Sequence, residues 1–218
     1  MGKSSSCSPS YSEMTQSNLI DHIQIRGEVS ADYSDVYEVN KSAFEQDNEA
    51  RLVEKLRQNH NFDPNLSYVA IYENGTQRLL VGYLLFFPIK IQLYSKNDNK
   101  KLDLSVNECL ALAPISVLPS YQNRGIGSKL ISYALDNIKR SYLMSYHCII
   151  VLGHENYYPR FGFKPAISQY HIHPPFSIEN ENCFLVLELI PDKLKETMSH
   201  NGNVYGVVEY PKEFDEVS

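Results

Sequence analysis

A glycine-bearing hexapeptide, Gln122-Asn123-Arg124-Gly125-Ile126-Gly127, sits where the hydrophobic period of the chain changes. Before it, Leu110 to Val117 is a short apolar run closed by Pro119-Ser120, as suits a strand buried on both faces. After it, Ile126, Leu130, Ile131, Ala134, Leu135 and Ile138 recur at three- and four-residue spacing, which defines one apolar helical face. Lys139 and Arg140 stand where the helix dipole favours cations. A strand feeding a helix through such a turn indicates an α/β chain. The two glycines lack Cβ atoms, so a ligand's phosphates can approach the backbone where a helix start leaves N–H groups unpaired. A plain strand-to-helix turn uses the same residues. Other phosphate motifs fit less well: the third glycine of a dinucleotide fingerprint would fall at Leu130, and no Walker lysine-serine pair has the required spacing.

A second motif follows in order. After the apolar run His147 to Leu152 comes Gly153-His154-Glu155-Asn156-Tyr157-Tyr158-Pro159-Arg160-Phe161-Gly162-Phe163. The spacings Q/R-x-x-G-x-G/A and then Tyr-x-x-x-Gly-Phe resemble the signature of the GNAT superfamily of acetyl-CoA-dependent N-acyltransferases. The resemblance covers Ile20 to Phe214, and the segments AFEQDNEARLVEKLR and VEYPKEF are similar to one branch of small predicted N-acetyltransferases. It implies a GNAT-type mixed, mostly antiparallel sheet with a central splayed parallel strand pair and helices on both faces. It implies acetyl-CoA as co-substrate, no metal, and an amine acceptor. The cofactor residues would be Ile115 and Val117 through their main chain, with Gln122, Asn123, Arg124, Gly125, Ile126, Gly127 and Ser128 around the diphosphate. Tyr158, at the family's distance from Gly162-Phe163, would be the acid that protonates the leaving thiolate. One position departs from the pattern: many members carry Asn six residues before the tyrosine, where this chain has Leu152.

Composition narrows the alternatives. A chain of 218 residues with 43% hydrophobic content can bury one core, so residues 18–218 are expected to form a single domain behind a serine-rich disordered arm over 1–17. A net charge of -6 speaks against a broad nucleic-acid footprint, and no nucleic-acid partner is expected. No apolar run approaches the roughly 18 residues of a membrane span, and no secretory signal is visible, so a cytoplasmic location is expected. Cys7, Cys109, Cys148 and Cys183 are scattered without metal or redox spacing, which predicts free thiols. Met1-Gly2-Lys3-Ser4-Ser5-Ser6 fits the myristoylation pattern, with Cys7 available for a second acyl chain; a chance match or a cloning remnant in a serine-rich tail is the favoured explanation. Membrane contact is expected only if Gly2 is acylated.

Along the chain, Ile20 to Gly27 alternates as a first strand, and a helix capped by Ser30 follows. Asn48 to Arg57 reads as a second helix with acids early and bases late. Tyr68 to Glu73 and Leu79 to Ile91 form a hairpin across Asn74-Gly75, followed by a polar loop from Ser95 to Lys101. Pro114 cannot donate to a ladder and marks an edge or bulge. Pro165 to Pro175 reads as a loop whose His171 and His173 lack a third metal ligand. Cys183 to Ile190 and Asn203 to Phe214 supply the last strands.

Acetyl transfer to an amine must deprotonate an ammonium, stabilise an oxyanion and protonate a thiolate. Candidates for the base are Glu108, Glu45, Glu49 and His154, an imidazole being suited to proton transfer near neutral pH. The rival readings are an acyl-CoA-binding sensor without turnover and a nucleotide-binding α/β domain.

Overall fold

The computed structural model describes residues 16–75, 77–141, 145–200 and 203–217. The N-terminal arm, with Gly2 and Cys7, lies outside them except for its last two positions, which open helix α1 (Gln16–Asp21). Then follow β1 (Ile23–Gly27), α2 (Tyr33–Phe44), α3 (Asn48–Leu56), β2 (Ser67–Asn74), β3 (Gln77–Ser95), β4 (Lys101–Val117) and α4 (Ile126–Ser141). β5 (Cys148–Leu152), β6 (Lys164–Pro165), α5 (Ala166–Tyr170), β7 (Ile172–His173), β8 (Phe184–Glu188), α6 (Lys193–His200) and β9 (Val204–Glu209) complete the chain. The strands form one sheet in the order β1-β2-β3-β4-β5-β8-β6, with β9 paired to β3 and β7. Its pairings are antiparallel except β4 with β5 and β7 with β9. Among the described residues no helix is long and apolar enough to cross a membrane.

Alternation along the strands divides the interior between two faces. Leu84, Phe86, Leu110, Leu112, Ile149 and Val151 point to the face covered by α4, whose Ile126, Leu130, Ile131, Ala134, Leu135 and Ile138 make the expected apolar stripe. Their neighbours Tyr83, Leu85 and Phe87 point the other way, under α2 and α3. Cys109, Ala111, Cys148 and Ile150 also point there, beside Ala166, Tyr170 and Leu194 of α5 and α6.

Several elements differ from the sequence-based expectation. The first strand begins only at Ile23, because the residues before it form α1, closed by a His22 N–H to Leu19 O bond of 3.1 Å. Ser30 does not cap α2. Residues 30–32 form a 3₁₀ turn in which Asp32 accepts from Val29 N (2.9 Å) and pairs with Arg26 (2.6 Å). β3 and β4 run much further than their apolar cores, because β9 pairs with Lys90–Ser95 and extends the sheet around them. Pro88 is tolerated inside β3 because it lies between the stretch paired to β2, which ends at Leu85, and the stretch paired to β9, which begins at Lys90. Pro165 to Pro175 is not a loop: it holds β6, α5 and β7. His171 is left-handed (φ 55°) and exposed, whereas His173 packs edge-on to Tyr205, so the two do not share an extended face. Cys109, Cys148 and Cys183 are free thiols, the first two buried side by side with sulfurs 3.2 Å apart.

Candidate active site

The parallel pairing of β4 and β5 is confined to Cys109–Cys148, Leu110–Ile149 and Ala111–Ile150. Beyond it β4 continues to Val117 and shifts register against β3 between Leu84 and Phe86, where Ala113 and Pro114 oppose Leu85 alone. That is the bulge expected at Pro114. The two parallel strands thus part, and a cleft of about 840 Å³ opens between them. Its lining includes Leu112, Val151, Gly127 and Tyr158 from the α4 face and Phe44, Glu49, Leu52 and Phe214 from the opposite face, so it passes through the sheet.

The register fixes which main-chain groups look into the cleft. Leu118 N donates to Val81 O at 2.9 Å, and antiparallel ladders alternate, so Ser116 opposite Tyr83 is also a bonded pair. Ile115 and Val117 then turn their N–H and C=O away from β3, towards the gap left by β5. Consistent with this, Val117 O accepts from Gln122 Nε2 at 2.9 Å.

At the start of α4 the first intrahelical bond runs from Lys129 N to Gly125 O (3.0 Å), which leaves the N–H groups of Gly125 to Ser128 as the four that an α-helix cannot pair internally. Asn123 (φ 59°) and Gly125 (φ 85°) take left-handed backbone to make the turn, and Asn123 and Arg124 are exposed. Ile126 is core and offers only its main chain. A Cβ on Gly127 would lie 3.0 Å from Tyr157 Oη, whose hydroxyl is 3.3 Å from Ser128 Oγ. Lys129, which sequence reasoning passed over, anchors the turn by donating to Ile20 O (3.0 Å) and Ile23 O (2.7 Å).

The two tyrosines divide their work. Tyr157 is half-buried, lies under the Arg160 guanidinium at 4.2 Å and braces the α4 turn. Tyr158 is buried, edge-on to Phe163 at 5.6 Å, and packed so tightly on Gly153 that a Cβ there would sit 2.3 Å from its ring. Burial, with a smaller contribution from Tyr157, pushes the Tyr158 hydroxyl up to about 12. Leu152 and His154 are exposed on the cleft wall. Of the acids considered as bases, Glu49 lines the cleft and is held by Gln46 Nε2 at 3.0 and 3.1 Å. Glu108 does not line it: it stands just before the paired stretch of β4, 3.8 Å from His147 Nδ1. Glu45 is the exposed left-handed residue ending α2, also off the cleft wall. Phe176, Tyr210, Phe214 and Asp215 line the cleft too; Tyr210 and Phe214 stand in the VEYPKEF segment, whereas no motif announced Phe176 or Asp215. Among the described residues no three side chains of metal-ligand type gather.

A splayed parallel pair with inward N–H groups, opening beside a glycine-bearing helix start, is the form of an acyl-CoA-dependent transferase. The residues fit such a donor: the helix start offers N–H groups to a diphosphate, and glycine keeps Gly127 clear of a side chain. Residues 33–163 match the model of the Acetyltransferase (GNAT) family. The chain belongs to this family and is an acetyl-CoA-dependent acyltransferase. It is similar to the uncharacterized N-acetyltransferase YjhQ of Escherichia coli K12, 32% identical over 161 residues, covering 73% of this chain and 80% of the relative. It is also similar to the uncharacterized N-acetyltransferase YhbS of the same strain, 29% identical over 88% of this chain and 98% of the relative. The crystal structure of Escherichia coli YhbS in complex with CoA superposes with a TM-score of 0.67 at 26% identity, covering 89% of this chain and 92% of that one. A Brucella melitensis GNAT acetyltransferase in complex with acetyl-CoA gives 0.60 at 26% identity, over 89% and 99%.

Proposed function

We propose that this enzyme transfers an acetyl group from acetyl-CoA to a primary amine of a small molecule or protein by direct attack, with both substrates in the cleft together. The observation that carries the reading is the parting of β4 from β5 just past Ala111 and Ile150, beside the first turn of α4. Acetyl-CoA supplies the electrophilic thioester. The N–H groups of Ile115 and Val117 face the gap and donate to the carbonyl oxygen as negative charge gathers there. Gln122, Asn123 and Arg124 shape the turn in which the N–H groups of Gly125, Ile126, Gly127 and Ser128 hold the diphosphate. In the reaction an N–C bond forms and the C–S bond breaks; one ammonium proton leaves before attack, a second leaves with the new amide, and the sulfur gains one. Glu49, Asp215 and His154 are cleft-lining groups that can take an ammonium proton, directly or through water.

Tyr158 serves the sulfur. Passing a proton fully from a hydroxyl near 12 to a thiolate with a reference pKa of about 8.5 would be uphill by roughly 5 kcal/mol. The hydroxyl therefore acts chiefly as a hydrogen-bond donor to the developing thiolate, and the proton that neutralises it comes through that contact from solvent. Thermal unfolding with CoA, paired with thiol release in the presence of amines, tests the reading. A rise in Tm and amine-dependent thiol release are expected. A Tm shift with no release across alkylamines, amino acids, polyamines and peptides would point to a sensor instead.

A further inference from the structure

On the face of the sheet opposite α4, the cleft has walls of a particular chemistry. Ser116 sits on β4 between the two residues whose N–H groups face the gap, and its side chain points to the other face. It lines the cleft, is 3% exposed, and its Oγ has no hydrogen-bond partner among the described residues. A buried hydroxyl left without a partner costs free energy in the empty protein, so it marks a place where a bound group completes the pairing. The formally charged side chains among the described residues lining the cleft are Glu49 and Asp215; no lysine or arginine joins them. Around these acids stand aromatic faces. Phe176 stacks on Tyr210 with centroids 6.3 Å apart and planes at 20°, and Tyr210 leans on Phe214 at 5.0 Å. Phe176 and Phe44 are 48% and 39% exposed, which is apolar surface open to a ligand.

From these walls we infer that the acceptor is a small primary amine carried on an aromatic body and lacking a carboxylate, an arylalkylamine, and that Ser116 positions its nitrogen. This rests on the acetyl-transfer reading. The ammonium is drawn by Glu49 and Asp215 and by the negative faces of the rings. Once it has lost a proton, the remaining N–H donates to Ser116 Oγ. The aromatic body covers Phe176 and Phe44. An amino acid of the same size brings a carboxylate towards two others, with no cation to meet it. A polyamine satisfies the acids but leaves the aromatic walls wet.

The test compares phenethylamine, phenylalanine and spermidine as acceptors for the wild type, Ser116→Ala and Phe176→Ala, with CoA-induced Tm shifts measured alongside. Wild-type kcat/KM for phenethylamine should exceed that for phenylalanine by about a hundredfold or more and that for spermidine by about tenfold. Ser116→Ala should raise the phenethylamine KM about tenfold while leaving the CoA shift intact and the free protein no less stable, since it removes an unpaired hydroxyl. Phe176→Ala should raise the same KM and leave that for acetyl-CoA unchanged. Equal or better turnover of phenylalanine or spermidine overturns the inference and spares acetyl transfer. So does a Phe176→Ala effect confined to acyl-CoAs of longer chain, or a Ser116→Ala variant that unfolds early with an unchanged KM. Failure of CoA to raise Tm in the wild type, with no turnover of any amine, overturns the underlying reading as well.

Discussion

The two halves of the cleft are made of different material. On the α4 face the walls proposed to meet the donor are main chain: the inward N–H groups of Ile115 and Val117 and the first turn of α4, with glycine required at 125 by its φ of 85° and at 127 by the approach of Tyr157. On the opposite face the walls are side chains from separate stretches: Phe44 ending α2, Glu49 opening α3, Phe176 after β7, and Tyr210, Phe214 and Asp215 after β9. A main-chain surface changes little when a side chain is replaced, unless the new side chain blocks it. A side-chain surface changes with every replacement. On the proposed assignment, the fold holds the donor site constant and leaves the acceptor site free to vary.

The sharpest way to break that contrast is to block the main-chain half. Gly127→Val places branched carbons where one Cβ already comes within 3.0 Å of Tyr157 Oη, and kcat/KM for acetyl-CoA should fall by about a hundredfold or more with the fold retained. Gly125→Val is a poorer probe, because the left-handed backbone there strains any side chain. Tyr158→Phe comes next. Loss of the hydroxyl should lower kcat by about tenfold or more at an unchanged acetyl-CoA KM, since the contact strengthens in the transition state. Tyr157→Phe, which breaks only the 3.3 Å contact to Ser128, should move KM instead.

Phe44 on the opposite wall is carried by α2, which begins directly after Asp32. The hydrogen bond from Arg26 holds the Asp32 carboxyl below the usual carboxylate range against the opposing effect of partial burial, and the Val29 N–H adds to the lowering. A depressed carboxyl adds stability above its unfolded pKa of about 4 and loses it as pH falls through the lower folded value. Tm should therefore drop on acidification below pH ~4 more steeply in the wild type than in Asp32→Asn. The smallest effect is expected for Gln122→Ala, which removes one exposed bond to Val117 O and should cost about 2 °C in Tm at most.

The half proposed for the donor could be outlined from the sequence because its spacings are local. Gly125 and Gly127 stand at fixed spacing along one strand, turn and helix, and the Tyr157–Phe163 segment directly follows the next strand, β5, so local order in the chain maps onto order in space. The α4 stripe and Pro114 were legible likewise, since periodicity and a missing N–H act locally. Glu108 stands off the cleft wall because it precedes the paired stretch of β4, whereas the cleft lies beyond that stretch, and nearness in sequence does not show which end of the pairing a residue occupies. The walls proposed for the acceptor were not legible, because Phe44, Phe176 and Phe214 come to line one cleft only after α2, β7 and β9 have packed on one face. Nor was Ser116, whose meaning depends on lacking a partner.

We propose that donor and acceptor are held by separate halves of one through-sheet cleft, and calorimetric titration of CoA into the wild type, Gly127→Val and Glu49→Gln tests this most directly. The wild type and Glu49→Gln should bind with the same Kd, and Gly127→Val should show no heat of binding. Retained affinity in Gly127→Val, or lost affinity in folded Glu49→Gln, would contradict it.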